Sequence, residues 1–390
     1  MPFLVTLFAM MSLQVSNLGF SPLVPAIQEE FGLSFAQVGL FAGMYGLISI
    51  FISVPAGLII RVVGEKAALT GGLLVVACGL AWLSAAGSMP SAFGARALWL
   101  SGYRFAFISI MTAIALTSPP AFRGRSMGVL GAIAALASVV GAPMGSIVAR
   151  DFGWRTGMVM YAVAAILGAV VFASGYRDRG SARAVEPANE AKSSALVPFR
   201  SWVVWSVALL SGFSGVTSLA TNAFLPSAVR ETFDLGAVDA ASIISTGFAW
   251  AVLLNLGFGF LMDRFNRSVV MGGVALLLMA GSLLMVSRDL SVFRLGAVVV
   301  LALGHAAIQQ SYALAADILR GREIGNVMGI VGGVAGVMNY VIPQGLGILR
   351  DQFGNFDPGW YLLAGISGCT FLLVVVLRWR SEVMIRPAET

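Results

Sequence analysis

Arg104 stands near the middle of ARALWLSGYRFAFISIMTAIALTSPP (residues 95–120), a stretch long and apolar enough to cross a bilayer. A guanidinium does not shed its charge, and at membrane depth it costs about 3 kcal/mol or more. It requires a water-lined cavity, an acidic partner or an anionic ligand. None of the 18 Asp and Glu residues falls near the middle of an apolar run, so a water network or an anion is the expected companion. His305, the only histidine, holds the central place in a second such stretch, RLGAVVVLALGHAAIQQSYALAAD (residues 294–317). It is the only residue at that depth that titrates near neutral pH. Helical spacing gathers further polar side chains onto single faces. Gln14, Asn17 and Ser21 form one stripe; Ser214, Thr217, Ser218 and Thr221 form another, with Asn222 at its edge; His305, Gln309 and Tyr312 form a third. Tyr45, Asn339, Tyr340 and Gln344 add polarity to two other runs. Such an inventory binds by charge and hydrogen bonding. No P-loop, metal-ligand cluster or nucleophile–base arrangement is present, so neither ATP-driven pumping nor enzymatic chemistry is expected, and no metal or cofactor is implied. Each stripe also has a structural alternative. Serine and threonine often bond their own helix, Asn and Gln tie helices together, and a lone histidine donates to a carbonyl.

The elements that carry these residues are transmembrane. With 58% hydrophobic and 11% charged residues in 390, the composition is not that of a soluble domain. Apolar runs predict twelve spans, at about 4–27, 36–60, 67–87, 94–117, 127–149, 155–175, 202–225, 240–262, 269–287, 294–317, 326–349 and 359–379. No Lys or Arg precedes Arg61, so the first run reads as a retained helix and not a cleaved signal. The net charge of +6 follows topology and does not mark a nucleic-acid surface. With the amino terminus inside, 16 Lys and Arg fall in inside segments and seven, among them Arg96, at outside ends. The positive-inside rule then puts both termini in the cytoplasm. Cys78 and Cys369 lie within apolar runs and suggest no disulfide.

The polar segment 176–200 divides the spans six and six, giving a first bundle at 1–175, a cytoplasmic linker at 176–200 and a second bundle at 201–390. The halves repeat at an offset near 201: Val24-Pro25 echoes Leu225-Pro226, Met127-Gly128 echoes Met328-Gly329, Phe152-Gly153 echoes Phe353-Gly354, and Arg104 falls on His305. Six spans per half make this a parallel repeat, whose substrate sites lie at mid-depth between the halves.

Between the second and third spans, Gly57-Leu58-Ile59-Ile60-Arg61-Val62-Val63-Gly64-Glu65-Lys66 resembles the loop motif G-x-L-x-D-R-x-G-R-K of the major facilitator superfamily. Its counterpart, Gly259 to Arg267 with Asp263-Arg264, fits better at the acidic position. Arg96 with Gly102, followed by Pro119-Pro120 and Arg123-Gly124-Arg125, extends the resemblance, which covers essentially the whole chain. It implies an all-α membrane protein, twelve transmembrane helices in two pseudo-symmetric six-helix bundles, with the first, fourth, seventh and tenth spans lining a central cavity. It also implies gate contacts at the loops. Arg61 replaces the usual acid, so a reversed pairing of Arg61 with Glu323 is expected, with Asp263 meeting the start of the fifth span. Gly57, Arg61, Gly64, Asp263, Arg264 and Glu323 are the gate candidates. The run Gly141-Ala142-Pro143-Met144-Gly145-Ser146 is similar to an altered antiporter motif, although small residues also serve close helix packing.

These readings predict a secondary transporter for a small organic anion, a mono- or dicarboxylate, working by alternating access. Arg104 would hold the carboxylate, and His305, Gln309, Tyr312, Gln14, Asn17, Asn222, Tyr45, Asn339 and Tyr340 would complete the shell. The nitrate carriers of the superfamily are a poor match, since their paired arginines on the second and eighth spans are missing. Proton-coupled efflux of drugs or hydrophobic solutes is one alternative; a non-transporting sensor or assembly factor is the other. The expected setting is a bacterial inner membrane, the expected state a monomer.

Overall fold

A computed structural model describes residues 2–117, 123–176, 202–265, 267–318 and 324–385 of the chain. Every regular element among them is helical. Among the described residues, ten stretches are long and apolar enough to cross a membrane.

The first span is broken where the sequence places prolines. Helix α1 (Pro2–Gly19) gives way to a single 3₁₀ turn at Ser21–Leu23, and α2 (Val24–Phe31) completes the crossing, with Pro22 and Pro25 at the starts of the two segments. A proline has no N–H to give and fits best in a first turn. Gly32, left-handed at φ 60°, closes α2, and its N–H bonds the carbonyls of Gln28 and Glu29. Ser34 then caps α3 (Phe35–Ser84) through a reciprocal box with Gln37.

The second and third spans, expected as separate helices, run on as α3 with one break at Gly64. Its φ of 83° and ψ of 160° belong to a region open essentially to glycine alone, which accounts for a glycine at this place in the loop motif. Next come α4 (Met89–Thr117), α5 (Arg123–Phe152) and α6 (Trp154–Gly175). The second half follows as α7 (Trp202–Phe233), α8 (Ala237–Arg264), α9 (Arg267–Leu284), α10 (Leu290–Ile318), α11 (Ile324–Phe353) and α12 (Asp357–Ile385). The repeat survives in the backbone. Gly153 and Gly354, equivalent by the offset, both take positive φ (84° and 73°) in the turns after α5 and α11.

Two helix pairs, α3 with α11 and α5 with α8, join the halves. On α3, Gly39, Gly43 and Gly46 form a stripe that lets the α11 backbone come close; a Cβ at Gly43 would lie 2.7 Å from the Tyr340 carbonyl oxygen. Asp351 of α11 reaches across to the start of α3, accepting from the Phe35 N–H at 3.0 Å and the Ala36 N–H at 2.8 Å. The Glu29–Arg230 ion pair, at 3.0 Å, lies at the same end of the bundle, distal to the amino terminus. The run from Gly141 to Ser146 packs inside the first half. Tyr161 Oη sits 2.8 Å from the carbonyls of both Gly19 and Gly141, and Gly145 leaves room for that hydroxyl.

Candidate functional site

Consecutive positions on α4 turn two polar groups toward two neighbours. Tyr103, 2% exposed, donates from its hydroxyl to Gln14 Oε1 of α1 at 2.9 Å. Arg104, half-buried, donates from Nη1 to the Tyr45 hydroxyl of α3 at 3.3 Å, its guanidinium carbon 5.4 Å from that ring's centre. The Tyr45 and Tyr103 rings meet edge to face at 5.7 Å, closing the path Gln14–Tyr103–Tyr45–Arg104 over three helices. A polar group at this depth is costly unless bonded, and these partners hold the arginine's orientation.

The midline between the halves holds a second group. Ser21 donates to Asn222 Oδ1 at 3.0 Å, both residues buried and 201 positions apart, so repeat-equivalent residues touch. Asn17, Ser21, Tyr45 and Asn222 share one cavity, with about 40 Å³ of room for the centre of a water-sized sphere. On α7 two of the four stripe hydroxyls are satisfied locally, Ser214 by the Leu210 carbonyl at 2.7 Å and Thr217 by that of Phe213 at 3.1 Å, while the buried Thr221 Oγ1 has no hydrogen-bond partner. Ser218 instead ties α7 to α10 through the Leu301 carbonyl at 3.3 Å.

His305 takes a different position from the one its equivalence to Arg104 suggests. Its ring stands edge-on to Phe248 of α8 at 5.2 Å and faces the Gly131 carbonyl of α5, so its described contacts are with other helices than those of Arg104. Asn339 and Tyr340 sit on α11 where it meets the α3 glycines, and the buried Asn339 Oδ1 has no hydrogen-bond partner. Gly64 forms the break described above, while Gly57 lies within the α3 backbone. The side chains of Gln309, Tyr312, Arg61, Asp263 and Arg264, and the whole of Glu323, lie outside the described residues.

Arg96 is the residue that sequence reasoning misplaced. Counted with the outside ends, it lies two turns inside α4, 5% exposed, and lines the same cavity as Asn17 and Asn222. The available signal was Trp99 one turn along the same helix face, an aromatic surface for a cation.

The Major Facilitator Superfamily model matches residues 3–311 and 207–388, so the chain belongs to that family and is a transporter-family, multi-pass membrane protein. It is 22% identical over 382 residues to the probable sulfoacetate transporter SauU of Cupriavidus necator, covering 91% of this chain and 88% of the relative. It is 20% identical over 373 residues to the probable nitrate transporter NarT of Staphylococcus epidermidis, covering 94% and 93%. A chloramphenicol resistance protein of Pseudomonas aeruginosa is 31% identical over 181 residues, 45% of this chain and 42% of the relative. Among solved structures, a bacterial homologue of the human lysosomal transporter Spinster, inward-facing and unoccupied, aligns at a TM-score of 0.73 and 15% identity over 100% of this chain and 98% of its own. The occupied form gives 0.71 at 15% identity, over 100% and 97%. The twelve-helix, two-bundle fold expected from the apolar runs is the fold of the protein.

Proposed function

We propose that this protein moves a small organic anion, a mono- or dicarboxylate, across the membrane by alternating access. The observation that carries the reading is Arg104, a permanent positive charge in mid-span, partly accessible and oriented by Tyr45 among neutral polar groups. A guanidinium so placed binds a carboxylate by two charge-assisted hydrogen bonds. Asn17, Asn222 and Gln14 supply neutral polar groups nearby, and Gln309 and Tyr312 complete the shell from the second half. The halves, 1–175 and 201–390, rock about this site on either side of the segment 176–200. Both termini are cytoplasmic in a bacterial inner membrane, and the monomer suffices. The names of the sulfoacetate and nitrate relatives, each covering most of this chain, support an anion as cargo.

Counterflow in proteoliposomes with a panel of labelled carboxylates and sulfonates tests the reading. Exchange that Arg104→Ala abolishes supports it; exchange that this variant leaves intact refutes it. The likeness of 181 residues to a chloramphenicol resistance protein favours a second reading, efflux of uncharged or hydrophobic solutes. Drug or dye extrusion, with no response to any anion, is the result that selects it. Silence across both panels selects a sensor or assembly role.

A further inference from the structure

Arg96 is more deeply buried than Arg104, and its surroundings differ in kind. Its guanidinium carbon lies 4.1 Å from the centre of the Trp99 ring, 4.7 Å from Phe20 and 5.4 Å from Phe41. Gly79 of α3 sets Trp99 in place, since a Cβ there would come within 2.6 Å of the Trp99 Cα. Three aromatic faces offset part of the desolvation of a cation but cannot accept in-plane N–H bonds in the manner of an oxygen. Nε and Nη1 are accordingly buried with no hydrogen-bond partner, and Arg96 makes no ion pair among the described residues. Buried charges are ordinarily paired, so this arrangement lacks an acceptor.

The missing acceptor has a place to sit. Arg96 lines the cavity together with Asn17, Ser21, Tyr45 and Asn222, and no acidic residue is among its lining side chains. Its room of about 40 Å³ for water-sized centres exceeds the ~10–15 Å³ that one water needs. Side-chain amides and hydroxyls around a fixed cation, with apolar walls behind, form a site for an anionic group of two to four heavy atoms. Tyr45 lines this cavity with Arg96 and its hydroxyl also accepts from Arg104.

We propose that Arg96 and its aromatic cage form an anion subsite at the distal end of the translocation path. It takes a carboxylate- or sulfonate-sized group, supplied by the transported molecule or by a free inorganic anion. The proposal deepens the anion-carrier reading and rests on it for the ligand's chemistry, though not for the existence of the site. Arg96 receives the anionic group, and Tyr45, which lines the same cavity and bonds Arg104, links this subsite to the second arginine.

Binding is read without transport. Sodium acetate, methanesulfonate, nitrate and chloride are titrated into purified, detergent-solubilised protein at constant ionic strength while tryptophan emission is followed, with Trp99→Phe identifying the part due to Trp99. The expected result is a saturable change that Arg96→Gln weakens at least about tenfold. Should Arg96→Gln fail to fold by size exclusion, Asn17→Ala and Asn222→Ala, which leave the cage intact, should each weaken binding severalfold. Response to acetate or methanesulfonate identifies the cargo's head group as occupant; response to nitrate or chloride alone identifies a free ion, and either supports the site. No saturable change with any of the four salts overturns it, as does unchanged affinity in folded Arg96→Gln or in both asparagine variants. Anion binding lost in Arg96→Gln with no counterflow of any carboxylate would retain the subsite and sink the carrier reading.

Discussion

Asp351→Ala removes a contact that spans the halves at one end only. Its carboxylate caps the first two N–H groups of α3 at 3.0 and 2.8 Å, while Ser34 accepts from the Gln37 N–H. A side-chain cap of this kind contributes about 1 kcal/mol, with the lower half of the measured range fitting an exposed carboxylate. A conformation that parts the distal ends of α3 and α11 loses the cap, so the wild-type chain holds that end closed by this amount. At RT of about 0.6 kcal/mol the variant should raise the distal-open fraction about fivefold. The assay places a single cysteine at Ala223, which lines the cavity, after replacing the exposed Cys78 and Cys369 with serine. A membrane-impermeant maleimide applied from the distal side should label Ala223→Cys about fivefold faster in the Asp351→Ala background. Asp151, the repeat counterpart, pairs with Arg150 on its own helix, and Asp151→Ala should leave the rate unchanged. An unaltered rate in Asp351→Ala, or an equal rise in both, refutes the assignment of this cap to closure.

Gly64→Ala forces a Cβ into φ 83° and should cost about 1–3 kcal/mol, read as a lower melting temperature in detergent. Tyr161→Phe strips the hydroxyl shared by the Gly19 and Gly141 carbonyls and should destabilise by about 1–2 kcal/mol in the same measurement. Gly43→Leu should abolish counterflow without loss of expression by wedging α3 from the Tyr340 backbone, whereas Gly71→Leu, with no atom within 4 Å of its added Cβ, should transport normally. Tyr45→Phe removes the acceptor 3.3 Å from Arg104 and should raise the KM for the anion several-fold with little change in the maximal rate.

The fold was legible because lipid demands long apolar helices and punctuates them with few residues, so spans and repeat could be read from hydropathy and from Gly and Pro. The break at Gly64 and the turns at Gly153 and Gly354 fall on glycines the repeat and loop motif single out. The site was less legible. Spacing put Gln14, Asn17 and Ser21 on one face, and two of them do line the cavity, but spacing along a helix carries no information on which neighbour it faces. Hence Gln14 is engaged by Tyr103, and His305 points to Phe248 and the Gly131 carbonyl. Arg96 was hidden for a related reason. Near a span end a charge reads as a topology signal, and only the three rings converging from the link after α1, from α3 and from α4 reveal a cation held out of water.

The hydrogen bond from Ser21 to Asn222 and the ion pair of Glu29 with Arg230 each join residues 201 apart. In an assembly of two identical half-length chains, such a place on the dyad would bring every side chain against its own copy, carboxylate against carboxylate. Carrying both copies on one polypeptide removes that restriction. Opposite charges can then face each other on the dyad, and the distal seam becomes attractive where strict symmetry would make it repel.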